Sequence, residues 1–155
     1  MIALIQRVTE ARVEVEGDIV GAIGPGLLAL VAVQPHDGER EVARMAERLL
    51  GYRVFADADG RMNRSLQDTG GGLLLVSQFT LAADTARGMR PGFSTAATPE
   101  AGRRQFEALV AACRARHGEV ATGRYGAHMR ISLINDGPVT FLLQAGAPGP
   151  SGAPA

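Results

Sequence analysis

The sequence contains no lysine, and all 16 of its basic residues are arginine. The absence of lysine excludes Schiff-base chemistry and a lysine nucleophile. Basic and acidic residues balance at 16 each, so the formal net charge is zero. No overall field therefore draws the molecule to nucleic acid or to anionic lipid, and any contact with RNA must be local.

Cysteine and histidine are scarce, and tryptophan is absent. The single cysteine, Cys113, can form neither an intrachain disulfide nor a thiolate metal cluster. The three histidines, His36, His117 and His128, are scattered and lack the spacing of zinc ligands. We therefore expect no metal site and no cofactor.

Long hydrophobic runs are also missing. The opening segment, MIALIQRVTEARVEVEG, is too short in its apolar part, and interrupted too soon by charge, for a signal peptide or a membrane span. We expect a cytoplasmic protein without a membrane partner. One domain is predicted at residues 1–145, and residues 146–155, GAPGPSGAPA, are expected to form a flexible tail because they carry too little apolar surface to order themselves.

Alternating and continuous apolar segments predict the strands. Alternation on either side of Gly17-Asp18 predicts a hairpin of two half-buried strands. Residues 26–33 are apolar without alternation, which predicts a strand covered on both faces. Further strands are expected in YRVFADADGRMN, in GGGLLLVSQFTL, at residues 129–135 and at residues 139–144.

Two segments have helical periodicity. In the first, apolar residues recur on one helical face over residues 42–50, with Asp37 to cap the start and Gly51 the end. In the second, Thr98 is the expected N-cap and Gly118 the expected stop. The predicted order is ββββ-α-β-β-α-β-β, which indicates an α/β fold: a single layered domain, mainly antiparallel sheets and two principal helices.

Several motifs fail the requirements of the sites that they resemble. DADG at residues 57–60 lacks the flanking acidic residues of a calcium loop, so we predict a hairpin turn. GAIGPG and TGGG lack both the lysine of a P-loop and the spacing of a dinucleotide-binding loop, so both predict turns.

Two segments remain as candidates for a site. SQFTL at residues 77–81 follows a buried strand, where small polar residues either face a ligand or satisfy their own turn. The pattern alone leaves both possibilities open. Gly137-Pro138 separates two strong strand patterns, although glycine and proline are both poor strand formers.

These segments resemble the D-aminoacyl-tRNA deacylase family. The resemblance rests on VSQFTLAADT, RGMRPGFSTAA, SLINDGPVTFLL and the opening MIALIQRV, and it covers residues 1 to about 144. Two separated motifs in the right order, SQ-x-T and N-x-GPVT, make the resemblance specific.

The resemblance implies a homodimer of α/β subunits that hydrolyses the ester between tRNA and a D-amino acid, and also releases glycine from mischarged tRNA. The 3′ end of aminoacyl-tRNA is then the partner, and the active site lies at the subunit interface. The implied catalytic pocket wall consists of Ser77, Gln78, Phe79 and Thr80. The implied substrate-binding residues are Gly137, Pro138, Arg7, Val139 and Thr140, with a cis Gly-Pro peptide as chiral filter and Arg7 as its support.

The chain departs from the family pattern in three places. Gly92 stands where the family usually has serine, so a hydroxyl near the pocket is lost. Ala82 stands where an aromatic residue is frequent, and the tail after Ala145 has no counterpart.

The residues favour one mechanism for such a site. Thr80 is a weak nucleophile without a base, and its motif contains no histidine or carboxylate. We therefore expect the N–H groups of Phe79 and Thr80 to stabilise the oxyanion while water attacks and the ribose 2′-OH acts as acid or base. Carbonyls turned to one side by a cis Gly137-Pro138 peptide would hold the ammonium and exclude an L side chain, whereas glycine would clash with nothing.

Two other classes of function stay open. A related tRNA-editing hydrolase, similar to the editing domains of threonyl-tRNA synthetases, would share the fold and remove a different amino acid. A non-catalytic RNA-binding module is disfavoured by the neutral charge and by an aromatic content of 5%.

Overall fold

The structure is a computed structural model, and it describes residues 1–146. Apart from Gly146, the expected tail lies outside the described residues. The elements in chain order are β1 (Ile2–Val15), β2 (Asp18–Ile23), β3 (Gly26–Ala32), α1 (Glu39–Gly51), β4 (Phe55–Ala56), β5 (Met62–Arg64), α2 (Leu66–Thr69), β6 (Gly72–Ser77), a 3₁₀ turn (Phe79–Ala82), α3 (Pro99–Arg114), β7 (Val120–Thr122) and β8 (Arg130–Gln144). The predicted class, a layered α/β domain with a mostly sheet core, is confirmed.

Six strands form one sheet in the order β2-β1-β3-β6-β7, with β8 on the free edge of β1. The first half of β1 pairs with β3, its second half pairs with β2, and β8 runs antiparallel along its whole length. The β3–β6 and β6–β7 pairs are parallel, which the sequence pattern did not predict. Because β3 and β6 are parallel, their carboxyl ends emerge at the same edge of the sheet.

Apolar side chains leave the sheet on both faces, which explains the strands without alternation. Leu73 and Leu75 of β6 face α1 and α3, where they join Met45 in the larger core cluster. Leu74 and Val76 point to the opposite face and pack with β1 and β2 in the smaller cluster. Full burial of one such side chain is worth about 1.5–3 kcal/mol, so β6 anchors both layers.

The first strand, β1, is continuous from Ile2 to Val15, whereas the predicted order has four strands before the first helix, one more than the structure has. The register of β1 against β8 shifts between Gln6 and Val8 and again between Val8 and Glu10. Ile5 and Val8 lie on opposite faces by simple alternation, and the shift between Val8 and Glu10 keeps Ala11 on the same face as Val8, in the smaller core cluster. The predicted four strands before α1 are therefore three.

The last two predicted strands are also one strand, β8. Gln6 pairs with Thr140 and Val8 pairs with Asn135, so residues 136–139 all lie opposite Arg7. Gly137-Pro138 therefore interrupts the ladder as a bulge without ending the strand. The short strand β7 was not predicted, because three residues are too few to show a period.

The predicted start of α1 is wrong by one residue. Gly38 is the N-cap, and its N–H donates to the carboxylate of Glu41 at 3.0 Å, which lowers the pKa of Glu41. Asp37 instead accepts hydrogen bonds from the α-ammonium of Met1 at 2.6 Å and from the N–H of Gln34 at 2.7 Å. The ammonium also donates to the carbonyl of Ala145 at 2.8 Å, so it joins the first strand to the residue after β8.

Helix α3 begins as predicted and ends earlier than predicted. Thr98 is its N-cap, and Pro99 is its first residue. It ends at Arg114 and not at Gly118, because the N–H of Arg116 donates to the carbonyl of Cys113 and tightens the last turn. Cys113 is fully buried in the larger core, and burial raises the pKa of its thiol to about 11.

Both predicted hairpin turns are present. The first turn consists of Glu16 and Gly17, one residue earlier than the predicted Gly17-Asp18, because Asp18 already pairs with Val15. Both turn residues have positive φ angles, as a two-residue turn requires. Asp57 closes the turn between β4 and β5 by accepting hydrogen bonds from the side chain of Asn63 and the N–H of Arg61, which lower its pKa. Within residues 1–146, no helix is long and apolar enough to cross a membrane.

Candidate active site

A cavity of about 730 Å³ opens where β3 and β6 end. Its walls come from these two strand ends, the 3₁₀ turn after β6, the segment before α3, the first turns of α3, and the segment that leads into the start of β8. The lining residues are Val31, Val33, Ser77, Gln78, Phe79, Phe93, residues 96–99, Gly102, Phe106, residues 125–129 and Ile131. Clefts at the carboxyl ends of parallel strands are a common place for ligand sites.

The 3₁₀ turn after β6 presents two backbone amides without an acceptor. The N–H of Gln78 donates to the carbonyl of Val31 at 2.7 Å, and the N–H of Leu81 donates to the carbonyl of Gln78 at 3.2 Å. Between them, the N–H groups of Phe79 and Thr80 make no hydrogen bond with any residue from 1 to 146. Such unpaired donors beside a cavity can bind a developing negative charge.

Three of the four predicted pocket-wall residues line the cavity: Ser77, Gln78 and Phe79. Thr80 is not among the lining residues of the described chain, and its hydroxyl accepts a hydrogen bond from the side-chain amide of Gln78. Ser77 is half-buried at the end of β6. The structure thus places the start of the predicted SQFTL segment at the cavity, whereas the hydroxyl of Thr80 is hydrogen-bonded to Gln78.

Aromatic rings flank the cavity. Phe79 and Phe93 have ring centroids 5.2 Å apart and are 58% and 44% exposed at its rim. Elsewhere on the cavity wall, the hydroxyl of Tyr125 donates to the carbonyl of Pro99 at 3.2 Å, and partial burial raises the pKa of this phenol. A Cβ on Gly102 would lie 2.5 Å from the Tyr125 oxygen, so glycine is required for this approach.

Sequence reasoning missed Phe93 and Tyr125 as parts of the site. Phe93 lies within RGMRPGFSTAA, one of the segments that carried the family resemblance, and this was a usable signal. Tyr125 lies in a turn between β7 and β8, and no motif in the sequence pointed to it. Among residues 1–146, no three histidine, cysteine, aspartate or glutamate side chains lie close enough to hold a metal ion.

The second predicted set of residues lies at the bulge in β8 and on β1 opposite it. Arg7 donates from Nε to the carbonyl of Asp136 at 3.0 Å and from Nη1 to the carbonyl of Val54 at 2.7 Å. The side chain of Asn135 donates to the carbonyls of Arg7 and Val139, both at 3.0 Å. Asn135 belongs to the N-x-GPVT motif, but it was not among the predicted site residues.

The Gly137-Pro138 peptide is cis, and both residues are exposed. A Cβ on Gly137 would lie 2.6 Å from a side-chain carbon of Val139 and 2.8 Å from its backbone nitrogen, so no side chain fits there. Val139 is half-buried against the larger core, and the exposed Thr140 accepts a hydrogen bond from Gln6 at 3.3 Å.

Within one chain, the bulge and the cavity are separate. Ser77 is in register with Val31 and, through it, with Ala3 of β1, whereas the bulge faces Arg7, four residues further along. From Ser77 to the bulge, the distance across the sheet is three strand spacings of about 4.8 Å, and the distance along the strands is four residues of about 3.3 Å each. Because the two directions are perpendicular, the bulge lies roughly 20 Å from Ser77. None of the predicted substrate-binding residues lines the cavity as the structure describes it.

The position of Gly92 accommodates the departure from the family pattern. Gly92 pairs with Asp84 through two backbone hydrogen bonds, and a Cβ there would lie 3.8 Å from Asp84, an ordinary contact. A serine would therefore fit at this position. Ala82, the second departure, is buried at the end of the 3₁₀ turn.

The family model described as D-Tyr-tRNA(Tyr) deacylase matches residues 4–144. The chain belongs to this family. It is 66% identical over 152 residues to a D-aminoacyl-tRNA deacylase of Methylococcus capsulatus, covering 98% of this chain and 99% of that protein. It is also 67% identical over 145 residues to a D-aminoacyl-tRNA deacylase of Xanthomonas campestris, covering 93% of this chain and 99% of that protein.

Two solved structures share the fold of this deacylase. One, named c-Myc DNA Unwinding Element Binding Protein, is 34% identical with a TM-score of 0.91 and covers 95% of this chain and all of its own. The other, named a probable eukaryotic D-amino acid tRNA deacylase, is 15% identical with a TM-score of 0.78 and covers 92% of this chain and 97% of its own, so it shows the fold alone. The chain is a D-aminoacyl-tRNA deacylase, an ester hydrolase that acts on aminoacyl-tRNA.

Proposed function

We propose that the enzyme hydrolyses the ester between the 3′ end of tRNA and either a D-amino acid or a misattached glycine, and that it leaves L-aminoacyl-tRNA intact. The observation that carries the proposal is the pair of unpaired N–H groups, of Phe79 and Thr80, beside the cavity at the end of β6. We place this activity in the cytoplasm, where aminoacyl-tRNA is made and used.

The chemical step that we propose is direct attack by water. Water adds to the ester carbonyl, the N–H groups of Phe79 and Thr80 hold the resulting oxyanion, and the C–O bond to the ribose then breaks. The attacking water loses one proton, which the neighbouring 2′-OH relays to the leaving 3′-oxygen, so the products are the free amino acid and tRNA with its 3′-OH. One preorganised donor of this kind is worth about 3–4 kcal/mol.

Thr80 has no nucleophilic role in this proposal. Its hydroxyl is engaged by the side chain of Gln78, and no carboxylate lines the cavity of the described chain. His128 and Tyr125 do line it, but neither makes a hydrogen bond to the hydroxyl of Thr80. An unactivated hydroxyl attacks esters slowly, so the backbone of residue 80 matters more than its side chain.

The chiral filter that we propose is the bulge of β8. In each site, carbonyls around Gly137 of the partner subunit hold the α-ammonium of the substrate. With the ester carbonyl fixed at the other end, an L side chain would collide with the bulge, a D side chain would point away and glycine would pass. Arg7 and Asn135 make the bulge rigid from both sides, which supports a steric role.

We propose a homodimer because the two halves of the site are too far apart in one chain. The bulge lies roughly 20 Å from Ser77 within the sheet, whereas an aminoacyl ester spans only a few ångströms. β8 is a free edge of the sheet among the described strands, and its Ile134 and Leu142 are 54% and 55% exposed. A twofold arrangement would cover these side chains and bring each bulge to the other chain's cavity.

The decisive assay compares three substrates: D-Tyr-tRNA, L-Tyr-tRNA and a tRNA mischarged with glycine. We expect loss of the aminoacyl group from the first and the third, with the second stable at the same enzyme concentration. Hydrolysis of L-Tyr-tRNA at the same rate would contradict the filter and favour another editing hydrolase. Binding of all three without hydrolysis would favour an RNA-binding module.

A further inference from the structure

A closed loop beside the cavity carries exposed arginines. We call residues 84–92 the arginine loop. Two backbone hydrogen bonds between Asp84 and Gly92, of 2.8 and 2.9 Å, close its base, and the carboxylate of Asp84 accepts the N–H of Ala86 at 3.0 Å. The loop is therefore held at its base while its tip projects.

The side chains at the tip face solvent without partners. Arg87 and Arg90 are exposed and form no ion pair with any residue from 1 to 146. Met89 between them is 100% exposed. Arg44 and Arg103, on the helices, each have a glutamate within 4 Å. In a chain of zero net charge, this tip is a local basic surface.

The loop adjoins the mouth of the cavity. Phe93 follows it directly, lines the cavity and lies against Phe79 at the rim. The hydroxyl of Thr95 donates to the carbonyl of Ala82, which fastens the end of this segment to the turn that follows β6. A chain leaving the cavity past the two rings would therefore meet the arginines.

We propose that the arginine loop binds the phosphates of the unpaired nucleotides that precede the 3′-terminal nucleoside of the tRNA. This inference rests on the proposed function, because it requires the terminal nucleoside to occupy the cavity. Guanidinium groups match phosphate oxygens in geometry and charge, and they gain affinity by releasing counterions from the nucleic acid. The exposed rings of Phe79 and Phe93 add faces on which bases can stack.

A second exit from the cavity fits phosphate less well. A groove of about 500 Å³ shares Ala127 and His128 with the cavity and is also lined by Arg124 and Arg130. Glu14 and Glu16 line the same groove, and their charges oppose a phosphate chain. The arginine loop has a single carboxylate, at its base, and this one is already hydrogen-bonded.

The two exits allow a matched test. The double variant Arg87→Gln/Arg90→Gln and the control Arg124→Gln/Arg130→Gln each lose two positive charges at exposed positions. Both are assayed on D-Tyr-tRNA and on the D-tyrosyl ester of adenosine, which has no phosphate. We expect the loop variant to raise KM for the tRNA by about 10–100-fold with kcat within about twofold, and to leave the adenosine ester unchanged. The control should stay near wild type on both.

Salt dependence and a rescue variant separate charge from structure. The loop variant should reduce the slope of log KM against log salt for the tRNA by about 0.7 for each lost phosphate contact. Arg87→Lys/Arg90→Lys should restore most of the slope and of the affinity. Equal effects of the loop and control variants, or an equal loss on the adenosine ester, would overturn the proposal.

Failure of the proposed function gives a different result. If wild type hydrolysed neither substrate, the function would fall, and binding of uncharged tRNA would still test the loop. Weaker binding by the loop variant than by the control supports the loop, whereas identical dissociation constants for wild type and the loop variant reject it.

Discussion

The side chain of Arg7 holds Asp136 in two ways: Nε donates to the carbonyl at 3.0 Å and stands 3.4 Å from the carboxylate. The same guanidinium reaches the carbonyl of Val54 at 2.7 Å, just before β4. One planar group thus joins the bulge of β8 to a neighbouring segment, and the position of Gly137 depends on a residue in a different strand.

Replacing Arg7 should impair activity more than stability. Arg7→Ala leaves the carbonyls of Asp136 and Val54 without this donor, which costs about 1–3 kcal/mol for each group that stays buried. We expect deacylation of D-Tyr-tRNA to fall by more than about tenfold because the bulge loses its support. The control is Arg12→Ala in the same strand. The Arg12 side chain is half-exposed, and its ion pair is loose, with Nε 3.8 Å from the carboxylate of Glu14. An equal effect of both changes would contradict a supporting role for Arg7.

Removing the hydroxyl of Thr80 should matter less than removing its N–H. Thr80→Ala is expected to keep activity within about tenfold, whereas Thr80→Pro, which lacks the donor, should lose about 10²–10³-fold in kcat. Melting curves for both variants verify that the fold is kept. A loss of about 10⁴-fold or more in Thr80→Ala, with a trapped aminoacyl-enzyme, would establish a covalent mechanism instead.

A methyl group at Gly137 should impair hydrolysis of every substrate. The added Cβ would lie 2.6 Å from the side chain and 2.8 Å from the backbone nitrogen of Val139, and φ at this residue is +143°. We expect Gly137→Ala to lose activity on D-Tyr-tRNA and on glycine-charged tRNA alike by more than about tenfold, since the bulge must move. Gly118→Ala, where a Cβ meets nothing within 4 Å, is the matched control and should be silent. Selective loss on one substrate would argue against a backbone effect.

Two inactive variants should complement each other if the site is shared. Thr80→Pro damages the cavity side, and Gly137→Ala damages the bulge side. Co-refolded in equal amounts, they form mixed dimers in which one of the two sites has both intact halves, so activity should return to about a quarter of wild type. A mixture as inactive as the separate variants, although mass spectrometry detects the mixed dimer, would place both halves in one chain.

The buried contact between Met1 and Asp37 should contribute strongly to stability. The ammonium is fully buried and the carboxylate side chain is 5% exposed, at a distance of 2.6 Å. Asp37→Asn leaves the ammonium without its counter-charge and should lower the free energy of unfolding by about 3–5 kcal/mol in a urea titration. Glu47→Gln removes an equally short ion pair whose side chains are both 58% exposed, and it should cost less than about 1 kcal/mol. Equal decreases in the free energy of unfolding for the two variants would show that the buried pair stabilises the fold no more than the exposed pair does.

The strands and helices that form the core were predictable because burial determines where apolar residues occur in the sequence. One buried face gives a periodic apolar pattern, and two buried faces give a continuous apolar run. Residues 26–33 and the segment before Ser77 lack alternation, and they become the central parallel strands β3 and β6. The capping of α3 by Thr98 was equally local, since its oxygen accepts the N–H of Ala101 at 3.4 Å. Such features depend on a few neighbouring residues.

Features that depend on contacts between residues far apart in the sequence produce no local pattern and could not be predicted. The continuity of β1 and β8 follows from bulges that only their pairing defines, so the sequence predicted breaks where the chain continues. Asp37 was predicted as a helix cap, but its carboxylate instead accepts a hydrogen bond from the α-ammonium of Met1, 36 positions earlier. Tyr125 enters the cavity wall through a turn without any motif. Ser77 and Gly137 were predicted as site residues because two motifs in the right order carry information that neither segment has alone, and this assignment stays a prediction.

The burial of Cys113 makes this enzyme convenient for optical measurements. With a thiol pKa of about 11, only about one molecule in 10⁴ carries a thiolate at neutral pH, and the sulfur is enclosed by the core. Maleimide dyes should therefore not react with Cys113 in the folded protein. A cysteine introduced at Met89, fully exposed at the tip of the arginine loop, would then accept a single fluorophore, whose distance to a dye on the tRNA could be followed during one turnover.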